Sequence, residues 1–280
     1  MSKRLQCVTS FVDIGRGDWS NYQRSTDMYI TNFIDFYNNI DLDLIVFCDE
    51  RIENQIMERV GPDFKTKLNF QRFELSDLNY FKYIDRIGQV QNSDLMRQLS
   101  SRDHSNPPEY TRPDYVAMMF AKTEFLKMAV DRGLVDGNNV AWTDFGIGHS
   151  QETFVDAVKN KYLSSPESDK VIFFKRQETP LSTDPVYYAR ISDNVIIVGG
   201  FYILPKNLAT FFYDEFKMIV DRMLDSSIID DDQTLLSIFA ATHPDKCELI
   251  NSMGYRNNPV EGDWFPVVHF VKDVFQEVDQ

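Results

Sequence analysis

Cysteines are few in this chain, and long apolar runs are missing. The three cysteines among 280 residues, Cys7, Cys48 and Cys247, cannot all pair within the chain, which favours free thiols and a reducing compartment. No window approaches about 18 consecutive apolar residues, and the N-terminus lacks the apolar stretch of a secretory signal. We therefore expect a cytoplasmic protein with no transmembrane segment.

Basic residues are also in deficit. The chain has 29 Lys and Arg residues against 43 Asp and Glu residues, a formal net charge of −14. Clustered positive charge supplies most of the affinity of duplex-binding proteins and of proteins that adhere to anionic membranes. We therefore expect no nucleic-acid partner. An anionic small-molecule substrate is compatible with this charge if a local positive pocket, helped by a divalent metal, binds it.

The pattern of apolar residues predicts an α/β fold. Strand-like runs alternate with amphipathic stretches over residues 1–150, which implies a mainly parallel sheet flanked by helices. The length lies near the upper limit for one hydrophobic core, roughly 250–300 residues, so we expect one domain. The predicted strands are Leu5–Phe11, Leu44–Cys48, Leu68–Phe73, Val140–Trp142, Val171–Phe174, Val195–Val198 and Phe201–Leu204. The predicted helices span Tyr115–Ala129, Leu208–Met223 after an opening Pro205, and a segment that starts at Asp230–Asp232.

The strongest site candidate is the segment Val140–His149, with the sequence VAWTDFGIGH. A short apolar strand runs directly into Asp144, and a loop with Gly146 and Gly148 follows. Ligands of parallel sheets bind at the carboxyl ends of strands. Asp144 is therefore placed to hold Mg²⁺ or Mn²⁺, which are hard cations that prefer oxygen ligands. The alternative is that Asp144 only begins a turn.

Five motifs along the chain together resemble one family. They are Val8–Trp19, Val46–Asp49, Trp142–Gly146, Gly199–Phe201 and Asp231–Thr234. In this order they resemble the WlaTC/HtrL-type family of glycosyltransferase-like proteins, from about Gln6 to Lys272. More distantly, the order of the motifs resembles that of GT-A glycosyltransferases.

The resemblance implies a GT-A-like, Rossmann-type fold for a single domain, 1–280, in which residues 1–150 bind a nucleotide-sugar and residues 151–280 bind the acceptor. GT-A enzymes hold a metal and the donor diphosphate with an Asp-x-Asp motif, but here Gly146 stands at the second position and has no ligating side chain. His269 and Lys272 resemble the C-terminal metal ligand and phosphate-contacting lysine of several GT-A families. Asp144 and His269 are thus the predicted ligands of Mn²⁺ or Mg²⁺. A hydrogen-bonded core histidine is the alternative for His269.

Several further residues are predicted to bind the donor. The Arg16 guanidinium, beside Gly15, can clamp a phosphate, although a plain turn explains the glycines equally well. Lys122 falls on a mainly apolar helix face, where it needs an anion such as a diphosphate or Asp144 unless it extends to solvent. Asp49, at the end of a strand, could accept hydrogen bonds from the base or ribose. The predicted nucleotide-sugar-binding residues are Ser10, Phe11, Asp13, Gly15, Arg16, Asp49, Arg112, Lys122, Thr143, Asp144, Gly199, Gly200 and Lys272.

The acidic run Asp230–Asp232 has two interpretations. One carboxylate is enough to cap a helix, and three adjacent carboxylates repel one another, which raises the pKa of a partly buried member. Such a group could deprotonate an acceptor hydroxyl as general base. By resemblance to GT-A enzymes this helix start faces the acceptor, and Asp232, or its neighbour Asp231, is the predicted catalytic residue.

The resulting hypothesis is a metal-dependent, inverting glycosyltransferase that moves a hexose or pentose from a UDP-sugar to a glycan acceptor. The resemblance implies a role in surface glycan biosynthesis, such as that of a bacterial lipo-oligosaccharide or a comparable viral or cell-surface glycan. Two alternatives stay open. One is a non-catalytic nucleotide- or glycan-binding protein, which the missing carboxylate at Gly146 would suit, and the other is a metal-dependent hydrolase of nucleotide-sugars or phosphoesters.

Overall fold

A sheet of seven strands forms the centre of the molecule. The computed structural model describes residues 4–100, 104–147, 158–191, 195–252, 267 and 270–273. The strands in these ranges are β1 (Gln6–Ser10), β2 (Ile40–Asp41), β3 (Leu44–Phe47), β4 (Leu68–Gln71), β5 (Asn139–Thr143), β6 (Lys161–Leu163), β7 (Val171–Lys175), β8 (Phe201–Pro205), β9 (Cys247–Asn251) and β10 (Val271–Asp273). The large sheet has the order β4-β3-β1-β5-β8-β7-β9, and a small sheet has the order β10-β6-β2.

Strand β8 runs against the other six strands of the large sheet. Strands β4, β3, β1 and β5 are mutually parallel, β8 is antiparallel to β5 and β7, and β9 is parallel to β7. This confirms the predicted mixed, mainly parallel α/β sheet. Because β8 is reversed, its first residue, Phe201, pairs with Thr143 at the end of β5. The start of β8 and the ends of β1 and β5 therefore lie at the same edge.

The helices begin at residues that suit helix starts. The side chains of Ser25 and Asp49 accept hydrogen bonds from backbone N–H groups of the first turns that follow, and Pro113 occupies a first-turn position that needs no N–H donor. The helices are α1 (Thr26–Tyr37), α2 (Glu50–Arg59), α3 (Pro62–Lys65), α4 (Ile84–Gln91), α5 (Asp94–Leu99), α6 (Pro108–Thr111), α7 (Pro113–Asp131), α8 (Pro185–Arg190), α9 (Ala209–Asp225) and α10 (Asp232–Thr242).

Helices on both faces of the sheet bury two cores. The side chains of a strand alternate between the faces. Trp142 packs in the core that holds the buried sides of α7, α9 and α10, and its neighbour Ala141 packs in the core that holds Ile30 and Phe33 of α1. Full burial of an aromatic side chain such as Phe33 contributes about 1.5–3 kcal/mol. Both faces of β5 are thus covered by packed side chains, so a ligand can approach this strand at its carboxyl end but not at its faces.

One predicted strand and one predicted helix start are wrong. Residues 195–198 form no strand, because only an isolated bridge joins Ile197 to Lys175 before Gly199 and Gly200 turn the chain into β8. Pro205 does not open the helix that follows. It is the last residue of β8, and a short 3-10 helix separates it from α9. Among the described residues, no helix combines the length and the apolar character needed to cross a bilayer.

Candidate functional site

A cavity of about 730 Å³ opens at the edge where β1 and β5 end and β8 begins. Its walls come from the loop after β1, from α1, from the buried side of α7 and from the start of α10. Nine of the predicted site residues line it: Ser10, Phe11, Asp13, Arg16, Lys122, Asp144, Gly199, Gly200 and Asp232. Residues far apart in the sequence are therefore brought together at the edge that the parallel sheet predicts.

Lys122 bridges two carboxylates on the cavity wall. Its Nζ lies 2.9 Å from Oδ1 of Asp144 and 2.9 Å from Oδ2 of Asp232, and it donates to the carbonyl oxygen of Gly199 at 3.3 Å. The side chains of Lys122 and Asp232 are 4% and 3% exposed, whereas that of Asp144 is 40% exposed. A buried ammonium needs such partners, because an unpaired charge in the interior is strongly unfavourable.

The pKa values follow from this pairing. Burial acts to lower the pKa of Lys122. Asp144 and Asp232 raise this pKa by more than burial lowers it, so the ammonium stays charged. Burial raises the pKa of Asp232, Lys122 opposes that effect, and Asp144 adds to it, so the net pKa is raised. A carboxylate with a raised pKa is a stronger proton acceptor than an ordinary aspartate.

Asp144 is held by contacts from three sides. Nε1 of Trp142 donates to its Oδ1 at 2.8 Å, and its own N–H donates to the carbonyl oxygen of Gly200 at 2.9 Å. The hydroxyl of Tyr37 donates to its carbonyl oxygen at 3.1 Å and lies 2.7 Å from Oγ1 of Thr143. Within the described part of the chain, Oδ2 of Asp144 has no hydrogen-bonding partner. The predicted Thr143 thus lies beneath the site and not on the cavity wall.

Gly199 and Gly200 let the backbone pass close to both carboxylates. A Cβ atom on Gly199 would lie 2.9 Å from Cγ of Asp232, and one on Gly200 would lie 3.4 Å from Oδ2 of Asp144. The first distance is shorter than real Cβ contacts allow, and the Asp232 carboxylate is fixed by Lys122. Glycine is therefore the only residue type at position 199 that leaves the ion pair of Lys122 and Asp232 undisturbed.

The acidic run divides its roles between its members. Asp231 caps α10 by accepting from the N–H of Gln233 at 3.1 Å, and Asp230 accepts from the hydroxyl of Thr234 at 2.8 Å. Asp232 instead pairs with Lys122, and it alone of the three lines the cavity. Burial, followed by repulsion from Asp230 and Asp232, raises the pKa of Asp231 well above its ordinary value. Asp231 therefore accounts for the capping interpretation, Asp232 is the member that lines the cavity, and its role as general base stays a prediction.

Arg16 organises the loop that follows β1. Its Nε donates to the carbonyl oxygen of Tyr22 at 2.9 Å and its Nη1 donates to the hydroxyl of Tyr29 at 2.8 Å. The guanidinium also lies 5.3 Å from the ring centre of Trp19. No carboxylate of the described residues pairs with it. Arg16 therefore keeps an uncompensated positive charge on the cavity wall while its Nε and Nη1 are engaged.

Asp13 and Gly15 also shape this loop. Asp13 accepts from Arg51, from Thr26 and from the N–H of Gly15, and these bonds outweigh partial burial and lower its pKa. Gly15 has φ of 74°, a left-handed conformation that favours glycine, and it does not line the cavity. The plain-turn interpretation accounts for Gly15.

The remaining predicted residues lie away from the cavity or outside the described residues. The Asp49 side chain accepts from the N–H of Ile52 and caps α2. Arg112 pairs with Asp114 and stacks 4.5 Å from the centre of the Trp19 ring. Lys272 belongs to β10, but its side chain is outside the described part, as is the whole of His269.

Some of the residues that line the cavity were not predicted from the sequence. Trp142 could have been found, because it lies in β5 two residues before Asp144, which directly follows the strand, and side chains two positions apart in extended chain point the same way. Nothing local in the sequence indicates the others, since their position depends on how distant elements pack. The missed residues that line the cavity include Tyr22, Tyr29, Met118, Met119 and Gln233.

The described residues do not complete a metal site by themselves. No group of three or more His, Cys, Asp or Glu side chains among them is arranged to hold a metal ion. Asp144 supplies one open carboxylate oxygen, which is the kind of ligand that Mg²⁺ and Mn²⁺ prefer. His269, the predicted second ligand, is outside the described range, so the metal assignment stays a prediction.

The chain belongs to the family described as "Bacterial protein of unknown function (HtrL_YibB)", whose model matches residues 3–272. This confirms the resemblance to HtrL-type proteins. A curated relative is Protein HtrL of Escherichia coli (strain K12), which is 28% identical over 288 residues, covering 95% of this chain and 91% of that protein.

Two solved structures of glycosyltransferases align with most of the fold. Mouse xyloside xylosyltransferase 1 in its apo form gives a TM-score of 0.43 at 11% identity, with 93% of each chain covered. The galactosyltransferase LgtC in complex with donor and acceptor sugar analogs also gives 0.43, at 9% identity, with 91% of this chain and 79% of that chain covered.

Proposed function

We propose that this protein is a glycosyltransferase that moves a sugar from a nucleotide-sugar, a UDP-sugar, to a hydroxyl of a glycan acceptor. The observation that carries the proposal is the bridge of Lys122 between Asp144 and Asp232 on the wall of a cavity at the strand ends. The open carboxylate of Asp144 could bind a metal, the buried carboxylate of Asp232 has a raised pKa and could accept a proton, and Lys122 holds both in place.

The cavity suits a donor of this class in size and charge. Its volume of about 730 Å³ falls within the range of roughly 300–1,000 Å³ that is usual for small-molecule sites. A nucleotide-sugar carries its negative charge on the diphosphate, and Arg16 places an uncompensated positive charge on the cavity wall of an otherwise acidic protein. The charge of Lys122 is already balanced by Asp144 and Asp232, so its predicted contact with the diphosphate would require the ammonium to be shared with them. The predicted contact of Lys272 with the diphosphate belongs to the same proposal.

Asp144 and His269 would hold Mn²⁺ or Mg²⁺. Asp144 fits this role because its side chain is 40% exposed and its Oδ2 is open within the described residues. A divalent cation bound there would neutralise the charge that develops on the diphosphate leaving group. Without His269 or the donor's own oxygens the site would be incomplete, so metal affinity is expected to depend on both.

Asp232 is the proposed general base. The acceptor hydroxyl oxygen attacks the anomeric carbon, its proton passes to the Asp232 carboxylate, and the bond from that carbon to the diphosphate oxygen breaks to release UDP. A direct displacement of this kind inverts the anomeric configuration. Asp231 is the weaker candidate, because it caps α10 and does not line the cavity. We place the reaction in the cytoplasm, in the biosynthesis of a surface glycan.

A donor and acceptor screen tests the proposal. Purified protein is incubated with a panel of UDP-hexoses and UDP-pentoses and Mn²⁺, with and without a mixture of glycan acceptors, and UDP release and product mass are measured. Acceptor-dependent UDP release with a matching gain of glycan mass is expected. UDP release in water alone would indicate a hydrolase, and UDP binding without turnover would indicate a binding protein. Either result would contradict the transfer reaction.

A further inference from the structure

We propose that Trp142 is a positioning residue, which fixes one oxygen of Asp144 so that the other is presented to the donor complex. This inference rests on the proposed function, because it assumes that Asp144 acts on the donor side through a metal. It assigns a role to a side chain that the sequence interpretation did not single out.

The indole of Trp142 is itself fixed. Trp142 is 2% exposed and lies in β5, two residues before Asp144, which directly follows the strand. Its ring stacks with that of Phe125 of α7, with the centroids 6.5 Å apart and the planes inclined by 16°. The indole N–H therefore has one available direction, and it donates to Oδ1 of Asp144 at 2.8 Å.

The two oxygens of Asp144 consequently differ. Oδ1 accepts from Trp142 and from Nζ of Lys122, which also lies 5.8 Å from the centre of the indole ring. Oδ2 accepts from neither. Because the backbone of Asp144 is held by Gly200 and Tyr37, the side chain has little freedom left, and Oδ2 is pre-organised as the ligand atom.

Loss of the indole N–H should make the Asp144 carboxylate less firmly oriented without leaving a cavity in the core, provided that an aromatic ring stays at position 142. Lys122 would still contact Oδ1, but its ammonium is shared with Asp232 and with the carbonyl oxygen of Gly199, so Oδ1 would lose the one donor among the described residues that serves it alone. A hydrogen bond to a charged group typically contributes about 1.5–3 kcal/mol, and each 1.4 kcal/mol is tenfold in affinity. We therefore expect Mn²⁺-dependent UDP affinity to fall by about 10- to 100-fold.

Calorimetric titration of UDP, with Mn²⁺ and with EDTA, tests the inference on the intact chain. Trp142→Phe keeps an aromatic ring and removes the N–H. The matched control is Tyr202→Phe, because Tyr202 pairs with Trp142 across β5 and β8, and its buried hydroxyl has no hydrogen-bonding partner among the described residues. Trp142→Phe should lose most of the affinity that Mn²⁺ adds and match the wild type in EDTA, while Tyr202→Phe should match the wild type in both.

The outcomes separate this inference from the proposed function. If the wild type gains affinity with Mn²⁺ and Trp142→Phe gains it equally, the positioning role is overturned and the proposed function stands. An equal weakening of Trp142→Phe in Mn²⁺ and in EDTA also overturns it. Wild-type binding that ignores Mn²⁺, or no UDP binding at all, contradicts the proposed donor and metal, and the inference falls with them. If Trp142→Phe does not fold, 3-benzothienylalanine at position 142 removes the N–H and keeps the shape.

Discussion

Nζ of Lys122 lies 2.9 Å from Oδ2 of Asp232, and both side chains are almost completely buried. The two residues are separated by 110 positions in the sequence and belong to helices α7 and α10. Their pairing joins the two helices at the cavity wall and couples the stability of the fold to the chemistry of the site.

Lys122→Met should be strongly destabilising. The substitution keeps the volume of the side chain but leaves Asp232 buried without its cation, and breaking a buried pair in this way costs about 3–5 kcal/mol. Urea denaturation measures the loss. Lys127→Met is the control, since Lys127 lies on the same helix and pairs with Asp131 near the surface, where removal costs only about 0.3–0.5 kcal/mol. Equal losses in the two variants would show that the buried pair is not important for stability.

Asp144→Ala should separate binding from folding. Lys122 keeps Asp232 as a partner and the Asp144 side chain is 40% exposed, so we expect the melting temperature to change by only a few degrees. Mn²⁺-dependent UDP binding should disappear, as measured by calorimetry. A variant that melts much earlier but binds UDP normally when folded would assign Asp144 a structural role instead.

Asp232→Asn should reduce the rate of sugar transfer much more than it weakens UDP binding. Asparagine retains the size of the side chain but cannot accept the acceptor proton, so turnover should fall by roughly 10²–10⁴. Asp144 still neutralises Lys122, and UDP affinity should therefore change little. Asp230→Asn is the control, because Asp230 bonds Thr234 and does not line the cavity. Near wild-type turnover of Asp232→Asn would remove it from the mechanism and favour a retaining reaction.

Asp231 should make the fold less stable as the pH rises. Its pKa is raised in the folded state by burial and by Asp230 and Asp232, so the folded chain binds a proton that the unfolded chain has released. This stabilising contribution is full below the unfolded pKa of about 3.9 and is lost as the pH rises through the folded value. Asp231→Asn, which still caps α10, should flatten the dependence of the unfolding free energy on pH. An unchanged slope in urea denaturation across that range would contradict the shift.

Gly199→Ala should damage the site through one methyl group. The added Cβ would lie 2.9 Å from Cγ of Asp232, so either the carboxylate or the turn before β8 must move, and turnover and stability should fall together. Gly61→Ala is the control, because a Cβ there meets no atom within 4 Å and φ is −71°. If the two variants have the same activity and melting temperature, the close approach of Gly199 is not a constraint.

The sequence predicts those parts of the site that depend on local order. Asp144 follows a strand, and Lys122 interrupts an apolar helix face, so an anionic partner for Lys122 could be expected before the fold was known. The contact of Tyr37 with Asp144 spans 107 positions and depends on how α1 lies across β5. The approach of Gly199 to Asp232 depends on the reversal of β8, which periodicity does not indicate because parallel and antiparallel strands have the same side-chain alternation.

The long sequence separation between Lys122 and Asp232 also determines when the site can form during synthesis. Lys122 and Asp232 are 110 residues apart, and at about 5–20 residues per second the ribosome adds the second roughly 5–20 s after the first. Throughout that interval the nascent chain lacks the start of α10, which pairs with the ammonium, so the surface of α7 around Lys122 stays hydrated. Final docking of α7 at the cavity therefore awaits the C-terminal half of the chain, and a ribosome-bound chain that ends before Asp232 cannot contain a finished site.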